Sequence, residues 1–361
     1  MIEIDGSIGE GGGQILRTAI AISTIIKEPI KIYNIRAKRK PPGIKLQHLI
    51  GIRTVAKLTN AEVEGAKIGS KTIIFEPKQI KINTLRANIA TAGSISLILQ
   101  AILPTLAFSP FKSKVEITGG TDVKWSPLID YMRYVFLRQL KKMGYQIEIE
   151  IIRRGHYPKG GGMIRVYTTP VRKLTPIREI ELGEIKKVKG ISHCVKLPRH
   201  VSERQAQAAE RLLKLRGYDK IEIEREWYRR DRDPHLGPGS GIVLWTETDT
   251  NAILGADELG ERGKRAEIVG KNVAKRLIQE IERGAPIDKH LCDMLPIYIA
   301  IADGTSVIIT SKIESHAETT IKLLEKILDV KFSIEPYSMN RMKISVKGMG
   351  LLNKEITSYG R

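Results

Sequence analysis

The stretch Ser306-Val307-Ile308-Ile309-Thr310-Ser311-Lys312-Ile313-Glu314-Ser315-His316-Ala317-Glu318 decides how this chain folds. Its first five residues read as a strand. Ser315 reads as the N-cap of a helix running to Leu328, with Glu318 as the carboxylate of the first turn. Upstream, Lys289–Ala302 predicts a helix; downstream, Lys331–Glu335 and Arg341–Val346 predict two strands. The same order stands twice earlier in the chain. Residues 1–77 give strand Ile2–Asp5, helix Gly13–Ile26, strand Ile30–Ile35, helix Ile44–Leu58, and strands Ala61–Glu64 and Thr72–Glu76. Residues 80–169 give helix Ala92–Ala107, strand Lys114–Thr118, helix Pro127–Met143, and strands Gln146–Ile151 and Met163–Tyr167.

The opening strand of the third unit is expected near Ile177–Glu181, so roughly residues 182–280 split it as an insertion. The insertion predicts strand Ile185–Val195, helix Ser202–Leu215, strands Ile221–Glu226 and Gly241–Thr248, and helix Ala266–Arg283. The expected class is α/β, of the α+β kind. Three β-α-β-α-β-β repeats form a pseudo-threefold large domain, and a smaller α/β domain is inserted in it. The boundaries are 1–181 for units one and two with the first strand of unit three, 182–280 for the insertion, and 281–361 for the remainder of unit three.

The chain of 361 residues is 42% hydrophobic with a formal net charge of +20, and its pI is about 9.8. Such basicity favours a polyanionic partner. The basic residues recur through the chain, in Arg36-Ala37-Lys38-Arg39-Lys40, Arg153-Arg154, Lys186-Lys187 and Arg225 to Arg232. That scatter argues for a folded basic surface over a disordered arm. The two cysteines, Cys194 and Cys292, build neither a disulfide framework nor a zinc site. The N-terminus opens as a strand and no apolar run reaches spanning length, so a cytoplasmic protein is expected.

Several motifs carry chemistry. Ile8-Gly9-Glu10-Gly11-Gly12-Gly13-Gln14-Ile15-Leu16-Arg17 joins a strand to a helix. It is either a Gly-rich tight turn or an anion cradle at a helix start. Neither a P-loop nor a dinucleotide fingerprint fits it. Glu10 suits a metal whose other ligands are phosphate oxygens. Arg36 to Lys40 is either a solvated charge run or a set of phosphate-capturing guanidinium groups. Gln100 sits within an apolar helix and needs partners. His290 and Asp293 share a helix face, either as a surface pair or as the lining of a nucleotide pocket. His316, in the first turn of its helix, feels the positive end of the macrodipole, which favours the neutral imidazole and its nucleophilic lone pair.

Taken together, Glu10 to Arg17, Arg36 to Arg39, Leu46-Gln47-His48-Leu49, Leu97 to Gln100, Gly119 to Asp122, Tyr157 to Gly162, Pro198 to Val201, His290 to Asp293 and the His316 helix start resemble the RNA 3′-terminal phosphate cyclases. The resemblance runs nearly end to end. It implies the repeat fold described above, ATP as cosubstrate, a divalent metal (Mg²⁺ or Mn²⁺), and RNA with a 3′-terminal phosphate as partner. The implied reaction passes through a histidyl-AMP and an RNA adenylate to a 2′,3′-cyclic phosphate. By resemblance His316 is the nucleophile and Glu10 the metal ligand. Gln100, Pro127, His290, Leu291, Cys292, Asp293 and Met294 bind ATP. Arg17, Arg36, Arg39, Gln47 and His48 bind phosphate or RNA. His290 and Met294 depart from the bacterial pattern, which has Tyr and Gln there; an imidazole can still stack on adenine. The alternative is a non-catalytic, RNA-binding ribosome-assembly factor of the cyclase-like branch, whose members lack the nucleophilic histidine. A third candidate, an enolpyruvyl transferase, has similar repeats but more of them and different charged constellations.

Overall fold

In the computed structural model, which describes residues 1–338 and 340–356, β1 (Ile2–Asp5) and β2 (Ile30–Tyr33) pair in parallel, Ile2 opposite Ile30. Parallel neighbours need a crossover, and α1 (Gly13–Ile26) supplies it. Its buried face is almost wholly aliphatic, including Ile15, Leu16, Ala19, Ile20 and Ile22. Burying each large side chain contributes about 1.5–3 kcal/mol. Then come α2 (Leu46–Thr59), β3 (Glu62–Glu64) and β4 (Ile73–Glu76). The sheet order is β1-β2-β4-β3.

The next sheet is built from β5 (Thr84–Asn88), α3 (Ile95–Ala107), β6 (Ser113–Gly119), α4 (Ile129–Tyr131), α5 (Leu137–Lys142), β7 (Gln146–Arg153) and β8 (Gly162–Thr169). A π-helical turn, Met132–Phe136, joins α4 to α5. The strand order, β5-β6-β8-β7, repeats the first sheet, as does the pairing: one parallel pair and two antiparallel pairs.

After β9 (Arg178–Glu179) come β10 (Ile185–Val195), α6 (His200–Leu215), β11 (Ile221–Glu226), β12 (Gly239–Thr248), β13 (Gly255–Leu259) and α7 (Ala266–Arg283). These strands order differently, β11-β10-β12-β13. The chain then forms α8 (Lys289–Met294), α9 (Pro296–Ile301), β14 (Thr305–Thr310), α10 (Ser315–Ile327), β15 (Phe332–Ser338) and β16 (Arg341–Lys347). β9 joins β14 in parallel, giving the order β9-β14-β16-β15.

Helix α1 packs against α2, α3 and α10, so the helical faces behind these three sheets meet in one apolar core. A second core gathers Leu182, Val188, Ala206, Leu213, Leu244, Val273 and Leu277 under the fourth sheet, with α6 packed on α7. Among the described residues no helix is long and apolar enough to cross a membrane. Residues 357–361 of the expected 281–361 segment lie outside the described residues.

Three local expectations are corrected. The Lys289–Ala302 helix is two helices meeting at Leu295, because Pro296 cannot continue the hydrogen-bond ladder. Strand β13 was not foreseen, and the opening strand of the second unit, β5, had no assigned residues. Thr84-Leu85-Arg86-Ala87-Asn88 and Gly255-Ala256-Asp257-Glu258-Leu259 carry little strand propensity of their own. Pairing with β6 and β12 holds them extended.

Candidate active site

The glycine run after β1 folds against the start of α10. Gly9 has φ +55°, and a Cβ there would lie 2.0 Å from Thr319 Oγ1, so only glycine lets the loop approach this closely. Gln14, in the first turn of α1, donates through Nε2 to the His316 carbonyl at 3.0 Å and also to the Thr320 hydroxyl. The two helix starts are thus tied together by side chain and by backbone.

That junction brings Glu10, Arg39 and His316 into one group. Arg39 Nη2 donates to Glu10 Oε2 at 3.1 Å. His316 Nδ1 lies 3.5 Å from the same oxygen. Ser315 does not cap its helix as expected. The cap position is Glu314, and the Ser315 hydroxyl instead donates to Glu10 Oε1. That bond is the main cause holding the Glu10 carboxylate below its ordinary range. His316 and Arg39 add to it, and burial opposes it. His316 remains about half exposed, at 48% of its side chain.

Asp293, on α8, lies near the Ala317 backbone N–H at the α10 start, which favours its charged form. Burial, with Glu314 beside it, pushes its carboxyl up to about 7. Two aspartates that the sequence reading missed organise this neighbourhood. Asp288 accepts the His290 and Leu291 N–H groups at 2.9 and 3.0 Å, capping α8. It also accepts the Tyr131 hydroxyl at 2.6 Å and the Gly255 N–H at 2.9 Å. Asp257 accepts the Leu128 N–H at 2.9 Å, next to Pro127. Burial raises its pKa, and the nearby His290 opposes that rise. The His290 ring meets Tyr131 edge-on at 5.6 Å. An aspartate two residues before a histidine at a helix start was a cap signal that could have been read. Asp257, on an unforeseen strand, offered none.

A second group lines the groove between α1, α2 and α3, where Arg17, Gln47, His48 and Leu97 surround a small cavity. Arg17 Nη2 reaches Gln100 Oε1 at 3.4 Å. Burial lowers the Arg17 pKa to about 10, which leaves it charged at neutral pH. A Cβ on Gly13 would lie 2.1 Å from His48 Nε2, so the bare glycine lets the imidazole sit over the start of α1. His48 Nδ1 accepts the Lys45 N–H at 3.3 Å. Burial, reinforced by Arg17, Arg36 and Lys45, drives the His48 pKa down to about 3.

Not every expected residue faces these groups. Arg36 is buried and donates to the Pro41 and Gly43 carbonyls at 2.9 and 3.0 Å, bracing its own loop. Leu291 and Cys292 point into the apolar core, and Met294 is also buried.

The depressed His48 pKa sets a pH dependence. Below about 6.5 the unfolded chain protonates this residue while the folded chain does not until about pH 3. Its contribution to stability is therefore lost as the pH falls from about 6.5 toward 3. Replacing His48 with glutamine should shrink the drop in Tm between pH 7.5 and 5 relative to wild type. Parallel Tm–pH curves for the two proteins would contradict this.

A mixed α/β body thus brings a histidine, a carboxylate and an arginine together where two helix starts meet. The model of the RNA 3′-terminal phosphate cyclase family matches residues 8–334, and the chain belongs to that family of enzymes. A protein named RNA 3′-terminal phosphate cyclase from Ignicoccus hospitalis is 50% identical over 328 residues, covering 91% of this chain and 93% of its own. Its namesake in Methanopyrus kandleri is 48% identical over 92% of this chain and 95% of its own. The one in Staphylothermus marinus is 49% identical over 97% and 99%. Among solved structures, the enolpyruvyl transferase NikO from Streptomyces tendae aligns at a TM-score of only 0.27 and 14% identity over 47% of this chain and 33% of that one.

Proposed function

We propose that this protein converts an RNA 3′-terminal phosphate to a 2′,3′-cyclic phosphate at the expense of ATP, with His316 as the covalent nucleophile. The observation that carries the reading is the convergence of Glu10, Arg39 and His316 at the start of α10. With Nδ1 turned toward Glu10, Nε2 is the nitrogen free to attack. Attack on the α-phosphorus of ATP forms the P–N bond and breaks the bond to the β-phosphate oxygen, releasing pyrophosphate. An oxygen of the RNA 3′-phosphate then attacks the same phosphorus, and the P–N bond breaks. AMP now sits on the RNA phosphate as a leaving group. The neighbouring 2′-OH attacks that phosphate, loses its proton, and expels AMP.

Each of these steps moves a phosphoryl or nucleotidyl group, so charge neutralisation and alignment matter most. Arg39, and Arg17 in the adjoining groove, supply fixed positive charge. Gln47, His48 and Gln100 surround Arg17, where a neutral His48 can accept or donate without adding charge. His290, packed edge-on against Tyr131 beside the Pro127 loop, forms one wall of an adenine slot with Pro127 as the other. Leu291, Cys292 and Met294 shape that slot from behind through the core. Asp293 stands beside the α10 start, on α8. Arg36 serves the phosphate site indirectly by bracing the loop that carries Arg39.

Glu10 fits a Mg²⁺ or Mn²⁺ ion: a single, partly exposed, ionised carboxylate whose ion would complete its shell from phosphate oxygens and water. Such an ion would neutralise charge on the triphosphate. The basic surface, +20 overall, suits the RNA backbone.

The three like-ordered sheets support a large body built by triplication, and the separate second core supports an inserted domain at residues 182–280.

Intact-mass measurement after incubation with ATP and Mg²⁺ tests the reading, and an AMP adduct is the expected result. Glu10→Gln should reduce the rate of adduct formation by roughly 10²-fold or more, while its Tm stays near wild type because the carboxylate lies on a loop. Normal adduct formation with a collapsed Tm would make Glu10 a structural residue.

A further inference from the structure

We propose that Asp122, His156 and His193 form a second, buried metal centre of the zinc type, which clasps the inserted core to the large one. Asp122 follows β6, His156 follows β7, and His193 lies within β10 of the fourth sheet. Their exposures are 1%, 6% and 0%. One ligand atom from each lies within 4.8 Å of the others. His193 Nε2 stands 3.8 Å from Asp122 Oδ2, and the two imidazole rings are 5.3 Å apart.

Hydrogen bonding leaves this cluster unsatisfied. Asp122 Oδ1, His156 Nε2 and both ring nitrogens of His193 have no hydrogen-bond partner among the described residues. Each buried orphan costs about 1–3 kcal/mol, and four in one place is unusual for a folded chain. One cation bound by all three side chains would relieve several of them at once.

Charge points the same way. Arg154 crosses the same seam and meets three carboxylates: Asp130 at 2.7 Å, Glu226 at 2.6 Å and Asp122 at 3.4 Å. One guanidinium leaves that group negative, and a divalent ion balances it. Neutral imidazole nitrogen with one carboxylate oxygen is a donor set that Zn²⁺ accepts, with water as a fourth ligand.

The Gly237-Pro238-Gly239-Ser240-Gly241 stretch runs over this cluster. A Cβ on Gly239 would lie 2.0 Å from His156 Cγ, and one on Gly241 would lie 2.9 Å from His193 Cε1. Strand β12 must be bare there to close over both rings. Binding draws the three donors inward to the 2.0–2.2 Å bond lengths typical of zinc.

The test strips the full-length protein with a chelator, reloads it with Zn²⁺ or Co²⁺ and desalts it before metal analysis. Glu10→Gln is run alongside, so that an ion held near His316 is not counted. We expect wild type and Glu10→Gln each to retain one equivalent, with visible absorption typical of tetrahedral cobalt. His193→Gln and His156→Gln should retain none, and stripping should lower Tm in wild type but not in these variants. A folded wild type that retains no ion overturns the proposal, whether or not the variants fold. So does an ion kept by both histidine variants, or one lost only with Glu10→Gln.

Discussion

Replacing His316 with alanine is expected to abolish transfer of AMP from ATP to the protein, by at least about 10⁴-fold, the scale seen when a covalent nucleophile is removed. The side chain is 48% exposed, and among the described residues its one ion-pair partner is Glu10, so little folding energy depends on it. An exposed substitution of this kind usually changes stability by less than about 0.5 kcal/mol. The variant should therefore melt with wild type and still bind ATP. Label from α-phosphate-labelled ATP should remain on wild-type protein through denaturation and be absent from the variant. In wild type the linkage should be labile to acid and stable to alkali, as a phosphoramidate is. An AMP adduct on the alanine variant would sink the assignment of His316.

The second large effect lies in the substrate. RNA ending in a 3′-phosphate should be cyclised, and RNA ending in a 3′-OH should not, because only a terminal phosphate can accept AMP. A strand whose last sugar lacks the 2′-OH but carries a 3′-phosphate should stop as the adenylate, since the final nucleophile is gone. Cyclic product on that strand should be undetectable, while the adenylate accumulates to the extent that enzyme and ATP allow. Mass spectrometry of the three oligonucleotides separates these outcomes. Cyclic product from the 3′-OH strand, or no adenylate on the deoxy-terminated one, would contradict the order of steps. Binding of each strand should weaken with salt along a linear log–log line, as expected when a protein of charge +20 displaces counterions.

Much of the architecture was legible because periodicity survives in single segments. Helices Gly13–Ile26 and Ala266–Arg283 and strands Ile185–Val195 and Ile221–Glu226 have the expected ends, since apolar spacing and turn residues bound them locally. The short strands β5 and β13 were not, because their extended form comes from neighbours. The candidate site divides in the same way. The Gly-rich loop and His316 stand out as residue types in telling positions, and Gln100 and His290 as polar residues on apolar or shared helix faces. The resemblance to a family singled Arg39 out of its charge run and gave Gln100 and His290 an ATP-binding role.

Taken alone, the sequence determined the order of the longer elements, the net basic charge, the helix start that presents His316, and the glycine runs. These are local properties, set by backbone sterics, propensity and composition. Tertiary structure alone decided that Ser315 bonds to Glu10 and leaves its helix uncapped, that Arg36 turns inward onto its own loop, and that Asp288 ties α8 to Tyr131 and Gly255. It also decided that Asp122, His156 and His193 meet. In each case the partners are far apart in the chain, and no short-range pattern records which distant strands and helices will pack. Where a polar side chain finds its partner depends on which apolar faces are buried together, and only the closed cores set that.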